Sequence, residues 1–330
     1  ARNADTRRFP ASLTKMMTLY MAFEALETGK LVPDQPLPVS RRAAGQAPSK
    51  LGLKAGQTIT VEEAINALSV KSANDVATVM GEAIGGTEAN FARLMTRRAH
   101  ALGMNNTTFM NASGLPNSRQ KSTARDMATL GKALLDNFPG YYSYFSKLTY
   151  KHNKRTYRNH NKLLRTYEGM DGIKTGYIRA SGFNLVASAE RDGVRLIGVV
   201  FGGKTGQSRD AHMASLLNRS WPKAKSNSTV AALPVPKPEL PGQKAPASIP
   251  KPQLALAQPT TDIRWGVQIG AFRGQNKARS AAGFTAKRLQ ELPATAIVQV
   301  TPLHGERETL YRARIVGMDR KIASNMCREL

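Results

Sequence analysis

The sequence predicts an α/β chain of the α+β kind, in which helices pack on an antiparallel sheet and a small second module follows a proline-rich tether. Three observations lead there. Segments with helical period give way after Gly169 to two short apolar runs, GFNLVASA and VRLIGVVF, joined through Arg191-Asp192-Gly193, where Asp-Gly favours a tight hairpin. The stretch from Val230 to Pro259 holds 8 of the 18 prolines and has no fixed period, as an extended spacer does. Beyond it, strand and helix patterns alternate again in the order βαββα.

Leu13, Met16, Met17, Tyr20 and Phe23 recur at helical spacing, so a helix with one apolar face begins beside Ser12. Further helices are expected at Val61 to Leu68, Asp75 to Ala83, Glu88 to Leu102 and Ala124 to Asn137. The last is introduced by Thr123 with Asp126 three residues on, a box-like cap. A helix from about Gln207 to Leu217 follows the two strands and packs on their sheet. After the tether WGVQIGAF alternates as a strand, Lys277 to Gln290 reads as a helix, AIVQVTP and TLYRARIV form a hairpin around His304-Gly305, and a helix starts near Asp319. The expected division is 1–222, 223–261 as linker and 262–330.

The 330 residues include 48 Lys and Arg against 23 Asp and Glu, a formal charge of +25 that favours polyanionic partners without choosing among them. A single cysteine, Cys327, excludes an intrachain disulfide. No stretch approaches the roughly 18 apolar residues of a membrane span, and Ala1 to Arg8 lack the apolar centre of a signal peptide, so a mature or truncated product is expected. The five histidines are scattered, without metal-ligand spacing, and neither metal nor cofactor is implied.

Chemistry concentrates in three short motifs. In Ser12-Leu13-Thr14-Lys15, the lysine three residues on lies on the same helix face as the serine and can take its proton, provided burial and a nearby cation keep the amine neutral. In Ser72-Ala73-Asn74, the hydroxyl can relay a proton and the amide can bond a substrate peptide group. In Lys174-Thr175-Gly176, a charge and a hydroxyl suit a terminal carboxylate, and glycine permits close approach of a strand to the substrate. Ser-x-x-Lys or Ser-x-Asn alone arises by chance roughly once per chain of this size, so the information lies in the ordered set. A second Lys-Thr-Gly, Lys204-Thr205-Gly206, follows a strand and reads as a turn into the last helix, a decoy.

In that order the motifs form the signature shared by penicillin-binding proteins and class A β-lactamases. The segments PASLTKMMTLY, SANDVATVMGEAIGG, NNTTFMNASGLPN, STARDMATLGKALL and GIKTGYIRASGFNLVASAERDGVRLIGVVFGG resemble the low-molecular-weight D-alanyl-D-alanine carboxypeptidase family, across nearly all of residues 1–222. The resemblance implies a β-lactamase/transpeptidase-like fold with helices on both sides of an antiparallel sheet. It implies Ser12 as acylated nucleophile, Lys15 as proton acceptor, Ser72 as relay, and Asn74, Lys174 and Thr175 as substrate contacts. Backbone N–H groups of Ser12 and Tyr177 would form the oxyanion hole. Tyr177 stands where the best-studied relatives carry His, and only eleven residues precede Ser12 where relatives have a long β-hairpin, so first strands are expected to be missing. No Glu-x-x-Leu-Asn lies between Asn74 and Lys174, which argues against a β-lactamase.

The segment from about Ile263 resembles a SPOR domain, of order βαββα(β) with its last strand absent, a module that binds glycan strands stripped of peptide. That resemblance makes Trp265, Phe272 and Tyr311 candidates for stacking on sugars, and Gln268, Arg312 and Arg314 for bonding them, although strand alternation sends half of such side chains inward. Together the resemblances imply a serine D-Ala-D-Ala carboxypeptidase acting on peptidoglycan stem peptides, acylated by β-lactam antibiotics and tethered to denuded glycan in the periplasm of a Gram-negative bacterium. Any membrane association would lie in segments outside this chain. A DD-endopeptidase of the same family and a glycan-binding protein with an impaired catalytic domain are the alternatives. Nucleic acid is disfavoured because the aromatic stacking pattern of RNA-binding modules is not evident.

Overall fold

A computed structural model describes residues 1–226, 265–272, 296–304 and 309–318, with further positions at 278, 282, 285, 293, 322–324 and 326. The chain divides into two units, Ala1–Gln243 and Lys244–Leu330. The proline tract lies outside the described residues.

The first unit is organised around one helix. A 3-10 turn, Ala11–Thr14, runs directly into α1 (Lys15–Glu27), whose Met16, Met17, Leu19, Tyr20, Ala22 and Phe23 have no solvent exposure. The apolar spacing predicts a single buried face, but from Lys15 to Phe23 the helix is covered on all sides. Lys15 and Thr18 are buried too, and their polar atoms find internal partners, Thr18 Oγ1 donating to Ala112 O at 2.7 Å.

A ribbon of β1 (Pro36–Pro38) and β2 (Thr58–Thr60) brackets the short α2 (Arg41–Ala44). Next comes α3 (Val61–Asn66), started by a reciprocal Thr60/Glu63 capping box and continued by a π-turn, Ala67–Lys71. Then follow α4 (Asn74–Gly85), α5 (Glu88–Ala101) and α6 (Ala124–Asn137). At α6 the Thr123 hydroxyl accepts from Asp126 N as expected, but the Asp126 carboxylate does not close the box. It accepts instead from Asn106 N at 3.0 Å and Thr107 Oγ1 at 2.6 Å, because it is buried where tertiary donors are at hand.

A hairpin of β3 (Thr149–His152) and β4 (Arg155–Arg158) and a single turn, α7 (Leu163–Thr166), lead to the main sheet. This sheet is β5 (Met170–Ile178), β6 (Gly182–Arg191) and β7 (Val194–Gly203), antiparallel in the order β5-β6-β7. The Asp192-Gly193 turn has φ of 52° and 76°, the pair of positive values that a tight primed turn requires. On one face lies α6, brought close because Gly131 has no side chain to meet Ile173, Ile197 and Val186. On the other lies α8 (Gly206–Ser226), whose Met213, Leu217 and Trp221, four residues apart, bury against Leu185, Ala187 and Val200. That spacing carries the helix through Pro222, so residues 223–226, expected to be linker, are helical. Among the described residues the architecture is helix, sheet, helix.

The second unit has three strands, β8 (Trp265–Phe272), β9 (Ile297–His304) and β10 (Thr309–Met318), antiparallel in the order β8-β10-β9. Positions 278, 282 and 285, and later 322–324 and 326, are helical, which preserves the βαββα order. Val267, Ile315, Met318, Ala323 and Met326 form its apolar centre.

Tyr20, Phe23, Phe138 and Tyr141 form an aromatic cluster that joins α1 to the end of α6, with Tyr20 and Phe138 edge-to-face at 4.8 Å. Phe138→Ala should destabilise the first unit by about 3–5 kcal/mol, read as a lowered midpoint in urea denaturation.

Candidate active site

The 3-10 turn that carries Ser12 is held from three directions. On one side is Gly114, where a Cβ would lie 1.9 Å from Ala11 O. On another is Gly176 of β5, where a Cβ would come within 3.1 Å of Ser12 N and Leu13 N. From β6, Asn184 Nδ2 donates to Phe9 O at 3.1 Å and Pro10 O at 3.3 Å. Glycine at 176 thus lets the strand close on the nucleophile's own backbone, whereas the sequence suggests only an approach to substrate. Ala11 is held at φ 50°, a left-handed value that costs an ordinary residue about 1–2 kcal/mol and persists because its surroundings enforce it.

Lys15 is fully buried, yet its Nζ is well supplied with partners. It lies 3.2 Å from Ser12 Oγ, 2.7 Å from Asn74 Oδ1 and 2.6 Å from Ser113 O. Two of these are carbonyl oxygens that can only accept. In its neutral form the amine has two N–H bonds and one lone pair, so with both hydrogens on the carbonyls the lone pair would be left for the Ser12 hydroxyl. Burial pushes the Lys15 pKa well below the ordinary lysine value, and the Lys174 charge lowers it further, against a smaller opposing effect of Asp75.

Ser72 ends the π-turn in a left-handed conformation, φ 59° and ψ 40°. Its hydroxyl is buried and makes no hydrogen bond in the protein, so it is available to a bound molecule. Asn74 is used internally at both ends, its Oδ1 by Lys15 and its Nδ2 by Ala47 O at 2.8 Å, with one lone pair and one N–H left for substrate. Next to it, the Asp75 carboxylate accepts from Leu51, Gly52 and Leu53 N and pins the loop that borders Asn74.

Lys174 and Thr175 on β5 are buried, and Lys174 Nζ donates to Thr175 O at 3.3 Å. Burial and the Arg209 charge bring the Lys174 pKa down to about 7. Tyr177 is 53% exposed, its ring 4.3 Å from that of Phe183, so its side chain makes a surface contact. The second Lys-Thr-Gly is a helix start, where Thr205 Oγ1 accepts from Ser208 N at 3.0 Å.

Several residues of this site escape the sequence. Ser113 contributes only a backbone oxygen, which carries no residue-type signal. Arg209, 5% exposed, donates to Asn184 O at 3.2 Å and reaches the site from α8. His160, on the loop between β4 and α7, has its pKa lowered to about 4 by burial and by the charges of Lys174, Lys71, Lys15 and Arg209.

In the second unit, register pairs Gln268 with Arg314, and Arg314 with Gln299, in one row across three strands. Gln268 and Gln299 are exposed. Tyr311 and Phe272 are half-buried and pack with Ala278, Ala282 and Ala313. The Trp265 side chain lies outside the described residues.

A serine at the mouth of a helix, a buried lysine that offers it a lone pair, and a second lysine on the facing strand define a site for acyl transfer through serine. The family model for D-alanyl-D-alanine carboxypeptidases of peptidase family S11 matches residues 1–205, and the chain belongs to that family. It is 36% identical to the D-alanyl-D-alanine carboxypeptidase DacF of Bacillus subtilis over 248 residues, 72% of this chain and 63% of the relative, and so spans less than two thirds of that protein. Among solved structures it resembles penicillin binding protein 5 of Haemophilus influenzae, with TM-score 0.65 and 34% identity over 67% of this chain and 65% of the other. It also resembles penicillin-binding protein D2 of Listeria monocytogenes in its ampicillin-bound form, with TM-score 0.59 and 32% identity over 65% and 89%.

Because the Lys174 charge holds the Lys15 pKa down, Lys174→Gln should raise it. The acid limb of the acylation rate, where Lys15 must lose its proton, then moves to higher pH, a shift checked by pH profiles of penicillin labelling in the two proteins.

Proposed function

We propose that the chain is a serine-type D-Ala-D-Ala carboxypeptidase that removes the terminal D-alanine from peptidoglycan pentapeptides and is acylated by β-lactams. The observation that carries this reading is the Lys15 amine, whose two carbonyl partners leave its lone pair for Ser12 Oγ. Substrate enters with its terminal carboxylate at Lys174 and Thr175 and its penultimate carbonyl over Ser12. As the Ser12 Oγ to carbon bond forms, the Ser12 proton passes to Lys15, and backbone N–H groups of Ser12 and Tyr177 stabilise the oxyanion, such donors contributing about 3–4 kcal/mol each. Collapse breaks the carbon to nitrogen bond, the Ser72 hydroxyl relays a proton to the departing amine, and water then hydrolyses the ester. The unpartnered Ser72 Oγ suits this relay, since no protein bond has to break for it to act.

The proposal extends to the rest of the chain. The first 222 residues with the end of α8 form the catalytic domain, the proline tract is a spacer, and the second unit is a SPOR domain that holds the enzyme at denuded glycan outside the cytoplasm of a Gram-negative bacterium. The row of Gln268, Arg314 and Gln299 supports a glycan role, because it presents amide and guanidinium groups of the kind that bond sugar hydroxyls. Among the described residues no helix is long and apolar enough to cross a membrane.

Mass spectrometry of the chain after penicillin treatment should show one adduct on Ser12, and a pentapeptide should lose D-alanine. Ser12→Ala should abolish both, whereas failure of the folded wild type to label would end the enzymatic reading. Independently, Gln268→Ala with Arg314→Ala should cut retention on denuded wall sacculi several-fold without changing the labelling rate. Unchanged retention would remove the glycan role from that row.

A further inference from the structure

From Lys147 to Tyr167 the chain carries seven Lys and Arg and not one Asp or Glu. Structure gathers much of this charge on the β3-β4 hairpin. Lys151, Lys154, Arg155 and Arg158 are exposed, and among the described residues they form no ion pair. Of the nearby acids, Glu63 accepts from Thr60 N and lies 3.8 Å from His152 of the same hairpin, and Glu62 accepts from Tyr144, so neither pairs with these four cations. Four exposed like charges on one short hairpin repel each other and have no internal partner to offset the cost.

The hairpin's position is set by both walls of the cleft. It packs on the π-turn that ends at Ser72, with Lys71 Nζ 5.1 Å from the centre of the Tyr157 ring. Just beyond β4, Asn159 Nδ2 donates to Lys147 O and Asn161 Nδ2 donates to Gly172 O at 3.1 Å, which ties the segment to the start of β5. Along β5, Gly176 touches the backbone of Ser12, and Lys174 and then Gly172 lie progressively farther back. The hairpin is therefore on the Lys174 side of the nucleophile, where the leaving group and its carboxylate must enter, and not on the acyl side.

We propose that the β3-β4 hairpin is a cationic vestibule that captures carboxylate-bearing ligands on the leaving-group side of the cleft and passes them to Lys174 and Thr175. The inference rests on the acyl-transfer reading of the site and adds to it a subsite and a ligand class, peptides that carry carboxylates at or beyond the bond cleaved. Its contribution is to the rate of encounter, which a field of one sign raises and salt weakens, and not to the chemical step.

The test is the second-order rate constant for acylation of the full chain by a fluorescent penicillin, itself an anion. It is measured at about 0.01 M and about 0.15 M salt, between which the screening length falls from about 30 Å to about 8 Å. Lys151→Glu with Arg158→Glu should slow acylation roughly threefold or more at low salt and much less at the higher salt. Arg93→Glu with Arg97→Glu, the same charge change on exposed positions of α5, which packs on α4 and α1, should slow it less. For D-alanine release, kcat should hold while kcat/KM falls. If the glutamate variant does not fold, Lys151→Gln with Arg158→Gln should give the same pattern at about half the charge change. Equal losses in the hairpin and α5 variants, or no loss in the hairpin variant, overturn the vestibule and leave the enzyme intact. A folded wild type that penicillin does not acylate overturns both readings at once.

Discussion

The structure of the first unit depends on burying one lysine amine without leaving it unpaired. An ammonium taken out of water costs several kcal/mol unless its hydrogens find acceptors, and a buried lysine tends to release its proton instead. Lys15 meets both conditions: Asn74 Oδ1 and Ser113 O take its hydrogens, and the neutral form is favoured by burial and by Lys174. The same contacts bind α1 to α4 and to the loop before α6, so the amine that reaches Ser12 Oγ also joins three segments of the core.

The site around that amine is held by backbone in unusual conformations. Ala11 beside one serine and Ser72 itself both occupy the left-handed region, Gly114 admits a neighbouring backbone that any side chain would exclude, and Gly176 admits one that a side chain would crowd. Asn184 anchors the serine turn to the sheet, while Asp75 anchors the 51–53 loop to the helix of Asn74. Strain of this kind persists only where packing over-determines it. Here the buried first two turns of α1 and the aromatic cluster at its far end supply that packing.

Electrostatics gives the cleft its direction. Lys174, Arg209 and Lys15 share one buried region: besides burial, the Lys174 charge lowers the pKa of Lys15 and the Arg209 charge lowers that of Lys174. A carboxylate bound at Lys174, as proposed, would relieve this repulsion, so its binding and retention of charge on the strand lysine would favour one another. The exposed charges of the β3-β4 hairpin have the same sign.

Much of this was legible in order along the chain. Helical spacing placed α1, α5 and α6, the Asp192-Gly193 pair placed the β6-β7 turn, and three spaced motifs named Ser12, Lys15, Ser72, Asn74, Lys174 and Thr175. These are local signals, set by period, turn chemistry and the reach of a side chain along one helix. What remained hidden was every contribution made across the fold: Ser113 through a backbone oxygen, Arg209 from the last helix, His160 from a loop, and the use of Gly176 against Ser12. The packing of Tyr311 beside Ala278 and Ala282 was hidden for the same reason, since a strand's period shows two faces but not which one a helix will cover. A sequence of this kind determines which groups can do chemistry, because their types and spacing are written in one dimension. Only the tertiary structure decides which of them meet and which lose a proton, because both depend on burial and on partners far apart in the chain.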